Sequence, residues 1–227
     1  MAQTILIVGN SGSGKSTSMR NLDPKETFII NIAKKPLPFK GWKKNFTSIS
    51  KENPKGNLSN IQKANAIVKC LRHISDNMPH IKQVVIDDFQ YMSAFEYFDR
   101  ANERGYDKFT DIATNIANVV KTPLSLRDDL FIFFMNHAEE IDVNGVKHIK
   151  AKTVGKMIDN SLTLEGLFST VLFTQIKKLD DGSIEYGFLT NSDGENTCKS
   201  PMGMFEESFI PNDLAYVIDS INKYEND

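Results

Sequence analysis

The chain has 227 residues, 25% charged and 40% hydrophobic, with a formal net charge of −2. That length and balance suit one medium α/β domain spanning residues 1–227, and they exclude a global field that would draw the chain to nucleic acid or membrane; such binding would need a local patch. The only cysteines, Cys70 and Cys198, stand apart from any Cys/His cluster, so neither a disulfide framework nor a zinc site is expected, which suits a reducing cytoplasm.

The first element is a buried strand over Ile5 to Val8. The chain enters it at once, so no signal peptide is expected. It runs into Gly9-Asn10-Ser11-Gly12-Ser13-Gly14-Lys15-Ser16-Thr17, which completes the spacing G-x-x-x-x-G-K-S of a Walker A, or phosphate-binding, loop. Glycines let the backbone curl so that successive N–H groups face phosphate oxygens. A helix is expected from about Lys15, with Met19 and Leu22 on its inner side, adding its positive end to the site. In this reading Lys15 reaches the β- and γ-phosphates of ATP and Ser16 binds Mg²⁺. The plainer alternative is a Gly/Ser-rich turn with a chance lysine. The strand before it and the helical pattern after it favour the nucleotide reading.

Asp23-Pro24 marks a turn, and Thr27 to Ile32 reads as a second strand. Residues 34–44 form a basic loop with Pro36, Pro38 and Gly41, into which Phe39 and Trp42 are interleaved. Such a loop either stacks on nucleic acid or lies solvated with its aromatics tucked into the core, and the second is favoured. A short strand is expected over Phe46 to Ile49, then a flexible connector over Lys51 to Asn60. Ile61, Ala64, Val68, Leu71 and Ile74 recur at helical spacing, and that helix ends before Pro79.

The next strand, from Ile81, ends in Asp87-Asp88. A buried strand closing on two carboxylates has the form of a Walker B motif. The first acid holds Mg²⁺ through water, and the second orients or deprotonates the attacking water. A helix N-cap is the plainer alternative. Two helices follow, one over 89–105 with Tyr91, Phe95, Phe98 and Ala101 on one side, the other carrying Phe109, Ile112, Ile116, Val119 and Val120. Pro123 should kink or end the second.

Leu130 to Met135 is a fully apolar strand, the longest apolar run and too short to span a bilayer. It is tipped by Asn136 and His137, either of which could sense a γ-phosphate. Ile141 to Lys150 reads as a hairpin turning at Asn144-Gly145. It brings Lys147, His148, Lys150 and Lys152, with Lys156 behind. The cluster either grips a DNA backbone or a neighbouring subunit's phosphates, or is simply solvated. Strands over Leu167 to Ile176 and Ser183 to Thr190 pair across Asp180-Asp181-Gly182. Pro211-Asn212-Asp213 opens a last helix with Leu214, Val217, Ile218 and Ile221 on one face.

Walker A, Lys35-Pro36-Leu37-Pro38-Phe39, Val85-Ile86-Asp87-Asp88, Ser125-Leu126-Arg127-Asp128-Asp129, Asn136-His137 and Lys199-Ser200-Pro201-Met202-Gly203-Met204-Phe205 together resemble a group of phage-encoded ATP-binding proteins. That group looks like minimal RecA-type cores and includes the Sak group of single-strand annealing proteins. The resemblance implies a RecA-like P-loop NTPase core, a mainly parallel sheet flanked by helices with a C-terminal β-hairpin and helix. It implies a homo-oligomeric, Mg²⁺-dependent ATPase in the host cytoplasm that binds single-stranded DNA and promotes pairing of complementary strands with a phage single-strand-binding protein. Carried over by residue, Lys15 and Ser16 match the phosphate and Mg²⁺ ligands, Asp87 the Walker B acid and His137 the strand-tip residue. RecA-type proteins usually carry a catalytic Glu near the end of the second strand, and Asn31-Ile32-Ala33-Lys34 offers none. Either Asp88 takes over or hydrolysis is slow. Lys199 and Arg127 are candidates, on position alone, for the basic groups that RecA-type subunits lend a neighbour. A nucleotide switch without turnover, or a small-molecule kinase, are the other readings.

Overall fold

The structure, a computed structural model, describes residues 1–143, 145–153 and 163–226. Asn144 and Lys156, expected in the hairpin turn and the basic cluster, lie outside the described residues. The strands are β1 (Gln3–Gly9), β2 (Thr27–Asn31), β3 (Leu58–Ser59), β4 (Gln83–Asp87), β5 (Phe131–Val143), β6 (Val146–Ala151), β7 (Thr170–Lys178), β8 (Ile184–Leu189) and β9 (Phe209–Pro211). They form one sheet in the order β3-β2-β4-β5-β1-β7-β8-β9, with β6 paired to β5. Every pairing from β3 to β7 along that path is parallel. β8, β9 and β6 are antiparallel additions.

Burial on both faces explains the unbroken apolar runs in β1, β4 and β5, since a parallel strand covered by helices has no solvent side. One face takes Leu6, Val8, Val84, Ile86, Ile132 and Phe134 and is covered by α2 (Ala64–Asn77), α3 (Gln90–Asp99) and α4 (Asp107–Lys121). The other takes Ile5, Ile7, Val85, Phe133 and Met135. It is covered by Met19, Leu37, Phe46 and α5 (Leu214–Asn226), which buries Leu214, Val217, Ile218 and Ile221. Each such side chain, fully buried, stabilises the fold by about 1.5–3 kcal/mol before entropy is counted. The architecture is therefore α/β, a mostly parallel sheet flanked by helices, as expected, with the β7–β8 hairpin and α5 at the C-terminal side.

Several local expectations are corrected. The segment after the glycine-rich loop is a six-residue 3-10 helix, Ser16–Asn21, not the start of an α-helix. Ser18 competes for a backbone group there, its Oγ donating to Lys15 O at 2.5 Å. Residues 46–49 form no strand beyond an isolated bridge from Ser48 to Leu58. The presumed connector instead supplies β3, which extends the β2 edge. α3 ends at Asp99 rather than Gly105, because Arg100 folds over Glu96, Glu103 and Asp111 and closes the turn. β5 continues past Met135 to Val143 and becomes the first arm of the hairpin. Pro211 belongs to β9, and α5 begins at Leu214 after Asp213 Oδ1 accepts from Ala215 N at 3.0 Å. Phe39 and Trp42 of the basic loop pack partly buried on the second core, as the favoured reading had it; Trp42 opens the four-residue helix α1 (Trp42–Asn45).

Arg127 sits at the amino ends of β4 and β5, away from the glycine-rich loop. Its guanidinium donates to Met78 O (3.2 Å), Pro79 O (3.2 Å) and Ile81 O and meets Asp129 at 3.1 Å. It ties three carbonyls where α2 meets β4 and is not a cation held out for a neighbour. Arg127→Ala should lower unfolding free energy in urea by about 1–3 kcal/mol by removing the guanidinium donor from Pro79 O and Ile81 O, whereas Met78 O keeps Ile81 N. An unfolding free energy equal to the parent's would refute that role.

Candidate functional site

β1, β4 and β5 deliver their carboxyl ends to one place, with Gly9 opposite His137 in the β1–β5 register. Beyond Gly9 the chain curls through Gly12 (φ 77°) and Gly14 (φ 95°), left-handed positions that favour glycine. The curl is braced from two sides. Ser13 Oγ donates to Asn10 O at 2.6 Å, and Thr174 of β7 stands 2.6 Å from Ser13 Oγ and directly over Gly9, leaving no room for a side chain there. A Cβ on Gly14 would stand 3.1 Å from the side chain of Asn212, which is 4% exposed and whose Nδ2 has no partner. Arg20 donates to Asn212 O at 2.6 Å and Asn21 to Asp213 at 2.5 Å, so the chain entering α5 is fastened to the 3-10 helix.

Among the described residues, the N–H groups of Ser11, Gly12, Gly14 and Lys15 find no hydrogen-bond acceptor. Such a run of donors on a curled loop suits an anion. Lys15, 6% exposed, donates to Gly9 O and Asn10 O at 2.8 Å each. Asn10, Ser11 and Gly12 form the exposed tip, Ser13 is buried as a brace, and Thr17 is half-buried and gives its carbonyl to Arg20.

Asp87 ends β4 buried, and Ser16 Oγ donates to its Oδ1 at 2.8 Å. Asp88 follows in the left-handed region (φ 59°), which turns its carboxylate toward an imidazole and an ammonium. His137 Nε2 lies 3.3 Å from Asp88 Oδ1, and Lys35 Nζ lies 2.6 Å from Oδ2. Tyr91 packs edge-on to His137, and Lys35 stands 5.3 Å over the Tyr91 ring. Thus Lys15, Ser16, Asp87, Asp88 and His137, expected in the site, are brought together. Asn136 is not with them. It is fully buried, and its Nδ2 donates to His137 O (3.0 Å) and Lys152 O (2.9 Å). Successive residues of a strand face opposite ways, so only one of the pair could look at the carboxylates.

Burial pulls Lys15 down to about 8 against the opposing pull of Asp88 and Asp87. Burial, then the charge on Asp88, pushes Asp87 up to about 6, with the Ser16 hydrogen bond opposing. Burial also pushes on Asp88, but His137 and Lys35 outweigh it and hold that carboxyl below its ordinary value. Asp87 is thus a buried carboxylate short of positive charge beside a hydroxyl. That donor set fits a hard cation that completes its shell with water and phosphate oxygens. No group of three or more His, Cys, Asp or Glu among the described residues could hold a metal alone.

No family model matches the sequence, and no curated protein matches it.

Lys35 and Asn31 were not expected in the site. Lys35 lay in the basic loop read as solvated with its aromatics tucked into the core, and only the β2–β4 pairing, Asn31 opposite Asp87, reveals its place. The hairpin lysines are less free than the sequence implied. Lys147 pairs with Glu140 at 2.7 Å and Lys150 with Glu139 at 3.0 Å. Lys152 and His148 sit at the hairpin root and arm. Lys199 is exposed on a segment bridged to Val171. No helix among the described residues is long and apolar enough to cross a membrane.

Because Asp87 holds its proton more tightly folded (about 6) than unfolded (3.8), its contribution to stability is greatest below pH 4 and is lost as pH rises through about 6. Asp87→Asn keeps an acceptor for Ser16 without the charge. It should therefore unfold at higher urea than the parent at pH 7.5, by roughly 2–3 kcal/mol, with the gap closing near pH 4. An equal gap at both pH values would refute the assigned cause.

Proposed function

We propose that the chain is a Mg²⁺-dependent, RecA-like ATPase that acts on single-stranded DNA in recombination, annealing or repair. The observation that carries this is the convergence of Lys15, the Ser16–Asp87 pair and the Asp88–His137 pair at the ends of adjacent strands, beneath a loop with unpaired N–H donors. The loop and Lys15 would take the phosphates, Lys15 exchanging its two carbonyl acceptors for phosphate oxygens. Ser16 and Asp87 would hold Mg²⁺, which neutralises phosphate charge when bound. Asp88, steadied by His137, would accept the proton of a water whose oxygen bonds to the γ-phosphorus. The bond to the bridging oxygen breaks as that one forms, and its electron pair leaves with ADP. That the nucleotide is ATP rests on the resemblance.

The DNA half rests on the resemblance and on one structural link. Lys152 N donates to His137 O at 2.7 Å, so the hairpin root and the strand tip form one hydrogen-bonded unit. A change at the γ-phosphate side could thereby reach the hairpin.

A nucleotide switch without turnover is favoured by one observation, the double tie on Asp88, which makes it a weak base. A small-molecule kinase finds less support. Arg20, Arg100 and Arg127 are committed to carbonyls or carboxylates, and Arg72 and Arg104 are on exposed surface outside the site. None forms the converging set that a phosphate lid needs.

Phosphate release from ATP should require Mg²⁺, rise with single-stranded DNA, and fall about 10²–10³-fold in Lys15→Ala. Release unchanged in that variant would refute the reading, binding without release would favour the switch, and transfer to a nucleoside would favour the kinase. Glu140→Gln should release Lys147 for DNA. Affinity for single strands should rise, and the slope of log affinity against log salt should steepen by roughly 0.7 per lysine recruited. An unchanged slope would remove the hairpin from the DNA contact.

A further inference from the structure

Past Asn31 the backbone turns through Lys34 in the left-handed region (φ 56°). Asn31, 3% exposed, closes that turn from both sides: Nδ2 donates to Lys35 O at 2.6 Å and Oδ1 accepts from Lys35 N at 3.3 Å. The Lys35 backbone is therefore fixed, while its side chain is 57% exposed and reaches Asp88 at 2.6 Å. Lys34 and Asp88, the two non-glycine residues with positive φ among those described, are the chain neighbour of Lys35 and its partner in this one ion pair. An ion pair with one exposed partner returns less than two such turns cost. Strain concentrated in this way marks a position held for function, not for stability.

The charges of the site alternate. Lys15, Asp87, Lys35 and Asp88 each act on their neighbours, and together they sum to zero. A triphosphate adds negative charge that Lys15 alone does not match, and its terminal group would face the Asp88 carboxylate. We infer that Lys35 is a phosphate-contacting cation supplied by the same subunit, which bridges to Asp88 in this structure and reaches the terminal phosphate of a bound nucleoside triphosphate. An ammonium with three rotatable donors on a flexible stem can make that move, or hold both acceptors at once. The face of Tyr91 supports the cation along the way. A diphosphate lacks the group that Lys35 would meet, so Lys35 separates triphosphate from diphosphate. This inference rests on the nucleotide-binding reading above.

The test is calorimetric titration with MgATP and with MgADP. Lys35→Ala should weaken MgATP about ten- to a hundred-fold and leave MgADP within about two-fold. Lys35→Arg should restore most of the loss. Asp88→Asn, which releases Lys35 from its partner, should tighten MgATP, and that gain should vanish in the Asp88→Asn, Lys35→Ala double variant. Thermal unfolding checks that each variant folds, and the Asp88→Asn arm stands if Lys35→Ala does not. If the parent binds both nucleotides and Lys15→Ala loses both, but Lys35→Ala keeps the parent's ATP-to-ADP ratio, the inference is overturned and the nucleotide reading stands. A parent that binds neither nucleotide overturns both.

Discussion

Lys15 and Asp87 are buried within reach of one another's charge at the ends of two parallel strands, and the rest of the site answers that burial. Either charge alone in such a place would be driven toward neutrality, and both are partly so driven, Lys15 to about 8 and Asp87 to about 6. What keeps them ionisable is local. Two loop carbonyls accept from Lys15, which the charges of Asp88 and Asp87 favour, while the Ser16 hydroxyl, Lys35 and Lys15 favour the Asp87 carboxylate against the repulsion of Asp88. Replacing the cluster by apolar side chains would cost the fold little and could stabilise it. Such a cluster, with two left-handed turns beside it, is a cost in stability that the fold by itself does not require.

The order of the strands makes the cluster possible. β5 lies between β1 and β4, so its tip falls between the glycine-rich loop and the acidic pair. Strand alternation then decides which tip residue serves: His137 shares a face with Met135 and meets Asp88, while Asn136 shares a face with Phe134 and ties the hairpin root. A slip of one residue in β5 would exchange them and move the whole apolar set of that strand to the wrong core. Phe134, edge-on to Phe89 at 5.1 Å and to Phe168 at 5.2 Å, helps fix that register from the α3 side.

The sheet and its helices were legible because their signal is periodic and local. Unbroken apolar runs marked β1, β4 and β5, and 3.6-residue spacing marked α2, α4 and α5. The spacing from Gly9 to Ser16, the paired Asp87 and Asp88, and the polar tip of β5 marked the five residues that converge. What escaped depends on contacts distant in sequence. Lys35 enters the site only because β2 pairs with β4, a fact its own basic, proline-rich surroundings obscure. Thr174 and Asn212, which brace Gly9 and Gly14, come from the far end of the chain. The hairpin lysines misled for a simpler reason. Counting Lys147 and Lys150 without Glu139 and Glu140 on the opposing arm overstated the positive charge, although cross-strand pairing was implied by the hairpin itself.

The cations also bear on how fast such a site could work. The nitrogen donors facing Asp87 and Asp88 belong to lysines and a histidine, and the arginines described are engaged elsewhere or lie on exposed surface outside the site. A lysine neutralises charge as a point and does not grip two phosphate oxygens in a plane as a guanidinium does. Charge stabilisation at a transferring phosphoryl group would therefore be partial within one subunit, and Asp88 would be a weak base as long as Lys35 and His137 hold it. Both features argue that, if the site hydrolyses nucleotide as proposed, the isolated chain does so slowly. They also argue that any acceleration comes through whatever repositions Lys35 or adds a cation, and the hydrogen-bonded root of the β5–β6 hairpin, joined to His137, offers the shortest path for such a signal.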